Sequence, residues 1–239
     1  MNLLLAGLPS EELRHLEPHL ERVSLQQRES LIEPGASIRY VYFLDGAVAS
    51  SVHAMQDGST VETSIAGFEG LVGVPVWLRQ RSTLSRIFVQ VPGDAWRMRS
   101  EVFVDEVVKR ECLLNDVIAD YVHAYLSLTT ITAACNRIHR IEERLCRWLK
   151  MVHNRVERDR FPVRHEFLAY MLGVRRPSVS IAANMLKKAG LIQYDYGRLT
   201  VPDAAGLEAG ACECYGTMEA HFERMYGDSF GKHRSLAAD

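Results

Sequence analysis

The sequence predicts an α+β fold in two parts: an N-terminal β-roll, jelly-roll-like in the way its short strands enclose a core, and a C-terminal group of helices closed by a β hairpin. Three observations predict it. Between Val23 and Met98 the texture is short apolar runs cut by glycine or proline, the pattern of a small sandwich or barrel. From Leu114 to Cys135 apolar residues recur four and three apart, which is a helix. Between His165 and Val201 two short helical stretches meet at a glycine and are followed by two short β runs. At 239 residues, 47% hydrophobic and 24% charged, the chain has room for two such domains. The boundaries fall at 1–99 for the roll, 100–135 for the connecting helix and 136–239 for the remainder, with a helical extension at its end.

Residues Pro9–Glu21 read as a short helix, with Leu13, Leu16 and Leu20 at helical spacing and His15 one turn from His19. Two histidines without a further ligand are ordinary surface residues, and no metal site is expected there. The roll follows as "YVYFLDGAVASSVHAM", "DGSTVETSIAGFEGLVGVPV" and "SRIFVQVPGDAWRM". Alternation around Asp57-Gly58 is a hairpin signal. The long helix begins at Ser100 or Leu113 and runs to Ala134. Its stripe of Leu114, Ile118, Tyr121, Tyr125 and Leu128 has the 3.5-residue period of helices that pair. Pairing with a second copy is the first reading, and packing on the chain's own β domain is the other. A further amphipathic helix spans Asn136–His153, with Ile138, Ile141, Leu145 and Leu149 on one side and Arg137, Arg140, Arg144 and Arg147 around the other. Asn154–Pro162 reads as a charged loop.

The net charge is −2, but residues 134–198 hold 14 Lys/Arg against 6 Asp/Glu, so this segment carries +8 and the rest −10. A basic segment on an acidic protein is the mark of one domain meeting a polyanion. Within it, His165–Leu172 forms a helix, Gly173 a tight turn and Arg176–Ala189 a second helix closing on Gly190, a helix-turn-helix. Leu191–Tyr194 and Arg198–Val201, about a turn at Asp195–Gly197, supply a wing. Pro177 costs nothing in a first turn, where its missing amide has no intrahelical partner.

With Val179, Ala182, Ala183 and Leu186 inward, the opposite face shows Arg176, Ser180, Ile181, Asn184 and Lys188. Such a motif pushes the start of its second helix into the major groove of double-stranded DNA. Arg175 and Arg176 are then the fork donors to guanine, with Ser180 and Asn184 as further polar readers. Ile181 either contacts a thymine methyl or edges the core. Arg164, Ser178, Lys187, Lys188 and Arg198 are placed for phosphates.

On these residues the chain resembles the Crp/Fnr superfamily of bacterial transcription regulators. The matching stretches are "EPG" (33–35), "VYFLDGAV" (41–48), "GFEGLVG" (67–73) and "HEFLAYMLGVRRPSVSIAANMLKKAGLI" (165–192). The ending "LEAGACECYG" (207–216) resembles an additional C-terminal helix of one subgroup. The resemblance implies a sensory, cyclic-nucleotide-binding-like roll and a homodimer joined by the long helix. Two winged helices would meet a pseudo-palindromic site with half-sites about 34 Å apart, and RNA polymerase would be a partner.

The effector pocket it implies comprises Gly67, Glu69, Gly70, Ser85 and Arg86. Members that bind cyclic AMP hold its phosphate with an arginine followed by Ser or Thr. Here the order is Ser85-Arg86, and reversal on a strand swaps inward and outward side chains. Cyclic AMP is therefore not expected, and the effector is unknown. The iron-sulfur members use N-terminal cysteines, whereas this chain has none before Cys112. In the recognition helix Arg176 matches the family's first arginine, but Pro177 and Ile181 depart from its pattern, so the operator should differ from the family consensus.

A ligand-sensing module whose C-terminal domain docks a protein partner is the alternative function. Catalysis is not expected: His53 is the single histidine of the roll, and no nucleophile, metalloprotease or phosphate-loop motif occurs. The five cysteines read as reduced thiols. Cys212-x-Cys214 would need further ligands to hold a metal, and only the distant His221 offers itself, so helix packing is the simpler role. No apolar run reaches the roughly 18 residues of a membrane span, and a cytoplasmic protein is expected.

Overall fold

A computed structural model describes residues 1–156, 158–195, 197–227 and 229–230. The expected wing turn at Tyr196 and the end of the extension, 231–239, lie outside the described residues. The chain divides into two compact units, Met1–Ser51 with Ile65–Leu126, and Val52–Ser64 with Ser127–Asp239.

The first unit opens with α1 (Leu3–Ala6) and α2 (Ser10–Leu16). Leu3, Leu4, Leu5 and Leu16 are buried. The Asn2 side chain accepts from the Leu4 amide and donates to the carbonyls of Leu44 at 2.9 Å and Gly70 at 2.7 Å. The helix expected over Pro9–Glu21 ends at Leu16 and becomes a 3-10 turn over Glu17–His19. Pro18, with no amide to donate and a ring that disfavours helix before it, explains the stop.

Eight strands follow: β1 (Glu21–Leu25), β2 (Ser30–Ile32), β3 (Tyr40–Asp45), β4 (Val48–Ala54), β5 (Thr60–Ala66), β6 (Leu71–Val72), β7 (Arg86–Val91) and β8 (Gly93–Arg99). They form two four-stranded sheets in the orders β1-β8-β3-β6 and β2-β7-β4-β5, which is the expected roll. Four consecutive residues of β3, Val41 to Leu44, are buried, so this strand is covered on both faces. The Phe43 ring lies 6.4 Å from that of Phe103. One polar pair inside the core bonds internally: Ser50 donates to Gln90 Oε1 at 2.6 Å.

The expected helix over 100–135 is two pieces. α3 (Val74–Trp77) precedes it; α4 (Ser100–Phe103) then runs into a π turn over Val104–Val108, and α5 spans Leu113–Ile138. Glu111, at φ 53°, makes the break in a left-handed conformation. Leu114, Ile118, Tyr121 and Leu128 are buried with one chain present, and Tyr125 is half-buried. Within the first unit the Tyr121 hydroxyl donates to Leu71 O at 3.3 Å, and its ring fills the space over Gly70, where a Cβ would overlap it.

In the second unit α6 is Ile141–Val156, later than expected. The Arg140 amide donates to the Glu143 carboxylate at 3.0 Å, one half of a capping box that fixes the start. Ile138, expected on the apolar side, is 74% exposed. Arg144 and Arg147, expected on the basic side, are buried, as are Lys150 and Arg155. Three of the four charges have local partners. Arg144 donates to Asn136 Oδ1 and to Leu172 O, Lys150 lies 3.4 Å from Glu208, and Arg155 sits 5.7 Å above the Phe222 ring. Four of the basic residues counted from sequence are thereby withdrawn from any external anion.

The rest of the unit is β9 (Arg160–Pro162), α7 (His165–Leu172), α8 (Arg176–Lys188), β10 (Gln193–Asp195), β11 (Arg198–Thr200), α9 (Ala204–Ala209) and α10 (Cys214–Tyr226). The loop expected at Asn154–Pro162 contains a strand: Phe161 is buried and pairs with Leu199, giving a three-stranded sheet β10-β11-β9. The single helix implied for Leu207–Gly216 is instead the junction of α9 and α10.

Candidate nucleic-acid interface

α7 ends because Gly173 turns left-handed, at φ 60° and ψ 39°, with its amide bonded to the carbonyls of Ala169 and Tyr170. This C-cap suits glycine, which has no Cβ to clash there. α8 then starts with Arg175 as its N-cap and proline in the first turn. Val179, Ala182, Ala183 and Leu186 are buried, as the 3.6-residue period predicts, against α6 and α7.

The opposite face is open. Arg175, Arg176, Ile181, Asn184, Lys187 and Lys188 are exposed, Ile181 at 63%; Ser178 and Ser180 are half-buried. Arg176 reaches back to Glu166 of α7 at 3.0 Å. Glu166 is held below the usual carboxylate range, first by a backbone amide and then by Arg176. An exposed ion pair of this kind contributes little to stability, but it holds a long side chain extended from the helix start. Ser180 does not point outward: its hydroxyl lies 3.1 Å from His165 Nδ1, joining α8 to α7. Burial holds His165 below its ordinary pKa, and its ring meets Tyr194 edge-on at 4.8 Å. Tyr194 in turn donates to Val163 O at 2.9 Å, so the wing is anchored to the start of α7.

Of the phosphate set, Arg164 and Arg198 are exposed at the wing; a Cβ built on Gly197 would lie 3.8 Å from Arg164 Nε. Lys187 and Lys188 are in the last turn of α8, where the helix dipole favours cations. Sequence reasoning missed Glu166, His165 and the exposed Tyr170 and Met185. The i to i+10 relation of Glu166 and Arg176 across the turn was available as a signal.

The hairpin of β4 and β5 belongs to this second unit at its tip. Trp148 Nε1 donates to Glu62 at 2.8 Å, and a Cβ on Gly173 would meet Val61 at 3.0 Å. A cleft of about 870 Å³ lies there, lined by Met55, Thr60, Glu166, Tyr170, Arg175 and Arg176 among others.

The residues implied for an effector do not share one environment. Arg86 is exposed at the start of β7, 3.3 Å from Glu33 and over the Phe88 ring, whereas Glu69 is fully buried and accepts from the Gly67 amide. Ser85 is half-buried, and Gly70 is committed to the ring of Tyr121.

A family profile described as a Crp-like helix-turn-helix domain matches residues 143–209, the segment from α6 through α9. The match covers the helix-turn-helix segment and not the rest of the chain. The chain's fold is similar to a CRP-family transcriptional regulator from Thermus thermophilus, with TM-score 0.64 and 19% identity over 80% of this chain and 96% of that one. It is similar to FixK2 from Bradyrhizobium japonicum, with TM-score 0.65 and 10% identity over 81% and 98%. The c-di-GMP-responsive global regulator CLP of Xanthomonas campestris gives TM-score 0.59 and 14% identity over 81% and 99%. At these identities the likeness shows a shared fold. A search of curated proteins finds no relative of the chain. No described helix is long and apolar enough to cross a membrane.

Proposed function

We propose that this chain is a sequence-specific, DNA-binding transcription regulator of the Crp/Fnr type and not an enzyme. It would act in the cytoplasm as a homodimer on a pseudo-palindromic operator and answer to RNA polymerase, with the roll as its sensory domain. The observation that carries the reading is the outward face of α8. Arg175, Arg176 and Asn184 are exposed at and after the helix start, with Lys187 and Lys188 at its end. Arg176 reads guanine through its fork once DNA replaces Glu166 as its partner. Ile181 supplies an apolar contact on the same face. Arg164, Lys187, Lys188 and Arg198 hold phosphates, and the half-buried Ser178 joins them at the first turn. Ser180 acts through the packing of α8 on α7 and not through a base. Because the five implied effector residues are spread over buried and exposed positions, the effector is left open and cyclic AMP is not proposed.

Selection of bound duplexes from a random library tests this reading. Enrichment of an inverted repeat with guanine in each half-site, lost on Arg176→Ala, is the expected result. No enrichment, with or without cell extract as a source of effector, would favour a C-terminal domain that docks a protein, for which the exposed Tyr170, Ile181 and Met185 are the apolar contacts.

A further inference from the structure

Cys212-x-Cys214 finds its missing ligands in the fold. Cys135 lies in the last turn of α5, and His139 follows one turn later, its amide still bonded to Cys135 O at 3.1 Å. Cys212 and Cys214 flank Glu213 at the junction of α9 and α10, where the Tyr215 amide bonded to Cys212 O at 3.0 Å closes a tight turn. The four ligand atoms, three sulfurs and one imidazole nitrogen, all lie within 4.8 Å of one another. Cys135 and Cys212 Sγ are 3.5 Å apart, and Cys214 Sγ is 3.7 Å from His139 Nδ1. Zinc bonds of about 2.3 Å to sulfur and 2.0–2.1 Å to nitrogen make tetrahedron edges of about 3.6–3.8 Å. The 3.5 and 3.7 Å separations match such edges, and with every pair inside 4.8 Å the four atoms need only a small contraction to close on a single tetrahedral ion; they are too close for a cluster that sets several atoms between its thiolates.

Two further observations point to a cation. His139 turns its other nitrogen, Nε2, to the Glu213 carboxylate at 3.0 Å. A metal-bound histidine is held in this way, with one nitrogen on the ion and the other donating to a carboxylate. A disulfide between Cys135 and Cys212 would need neither His139 nor Cys214. Second, Arg147 is buried on α6 against α10, the helix that Cys214 opens. Its Nη1 lies against the sulfurs of Met151 at 3.5 Å and Met218 at 3.7 Å, its Nε has no hydrogen-bond partner, and no carboxylate pairs with it among the described residues. A buried guanidinium without a counter-charge is costly.

We propose that Cys135, His139, Cys212 and Cys214 form a structural site for a divalent zinc-like ion. Three thiols lose their protons to solvent on binding and the imidazole stays neutral, so the loaded site carries −1 beside the +1 of Arg147. Four protein ligands leave no open position, which makes the site a staple and not a catalytic centre. It ties the end of α5 to the start of α10, which packs on α6. The inference stands independently of DNA reading.

The test is metal analysis of the full chain, purified reduced and without chelators, followed by cobalt substitution of the apo form. One ion per chain is expected, with cobalt giving intense tetrahedral d–d bands and thiolate charge transfer. Cys112→Ser keeps the ion, Cys212→Ser/Cys214→Ser loses it, and His139→Cys keeps it with stronger charge transfer. A second readout needs no variant: a thiol reagent followed by peptide mass mapping should modify Cys135, Cys212 and Cys214 at least tenfold faster after chelation. The proposal is overturned if reduced wild type binds no more ion than the double variant, if iron and sulfide occupy the site, or if chelation leaves the labelling unchanged.

Discussion

Helices α5 and α8 both carry a regular stripe, and the chain uses the two stripes in opposite ways. On α5 the stripe from Leu114 to Leu128 is closed off by the chain itself, with Tyr121 at 1% exposure over Gly70. On α8 the apolar stripe is equally buried, but the other side is left open with two arginines, an asparagine and two lysines on it. Periodicity says that a stripe is covered; what covers it is decided by the neighbouring surface. The outward side of α8 has no such neighbour among the described residues, and its charges suit a polyanion.

The largest effect that separates the two is on stability. Tyr121→Ala should cost about 3–5 kcal/mol, as truncations of buried large aromatics do, read as a lowered denaturant midpoint; an unchanged midpoint would return this residue to a dimer seam. If self-association uses the open side of α5, Leu126→Asp, at a position 59% exposed, should weaken dimers in sedimentation while leaving the fold intact.

Next comes affinity. Arg176→Ala should remove about 1–3 kcal/mol of discrimination at one guanine, seen by fluorescence anisotropy, with the denaturant midpoint unmoved because the Glu166 pair is exposed. Ser180→Ala should do the reverse, costing about 0.5–1.5 kcal/mol of stability through the lost bond to His165 and leaving base preference unchanged. Smaller again, Lys187→Gln or Lys188→Gln should lower the slope of log affinity against log salt by about 0.9 for each phosphate no longer neutralised.

The smallest effect is a pH dependence. Burial lowers the folded pKa of His165, so below its unfolded value of about 6.5 the unfolded chain binds more protons, and stability falls as pH falls through that window. His165→Gln should flatten the slope in pH-dependent unfolding; an unaltered slope would show that the imidazole is not kept neutral by its place between Ser180 and Tyr194.

What was legible in the sequence was local. Gly173, Pro177 and the 3.6-residue spacing of Val179 to Leu186 place α7 and α8 to within a residue, because caps and periodicity act over a turn or two. What was hidden depends on partners far along the chain. β9 looks like a charged loop until Phe161 meets Leu199. The basic residues of α6 look solvated until α8, α9 and α10 cover them. Ser180 looks like a base reader until His165 takes its hydroxyl. The cysteine pair at 212 and 214 suggested only His221 as a further ligand, yet His221 lies beside Arg224 at 3.3 Å, and the imidazole that reaches the thiols is 73 residues before Cys212, at His139. No spacing rule connects residues whose proximity is made by the packing of α10 against α6.

The most direct test of the central claim is equilibrium binding of wild type and Arg176→Ala to the selected duplex and to a shuffled one across a salt series. The account predicts that wild type prefers the selected duplex, that both proteins bind the shuffled duplex equally with the same steep salt slope, and that Arg176→Ala loses only the preference. A salt-independent affinity, or a preference that survives Arg176→Ala intact, would contradict α8 as the element that reads DNA.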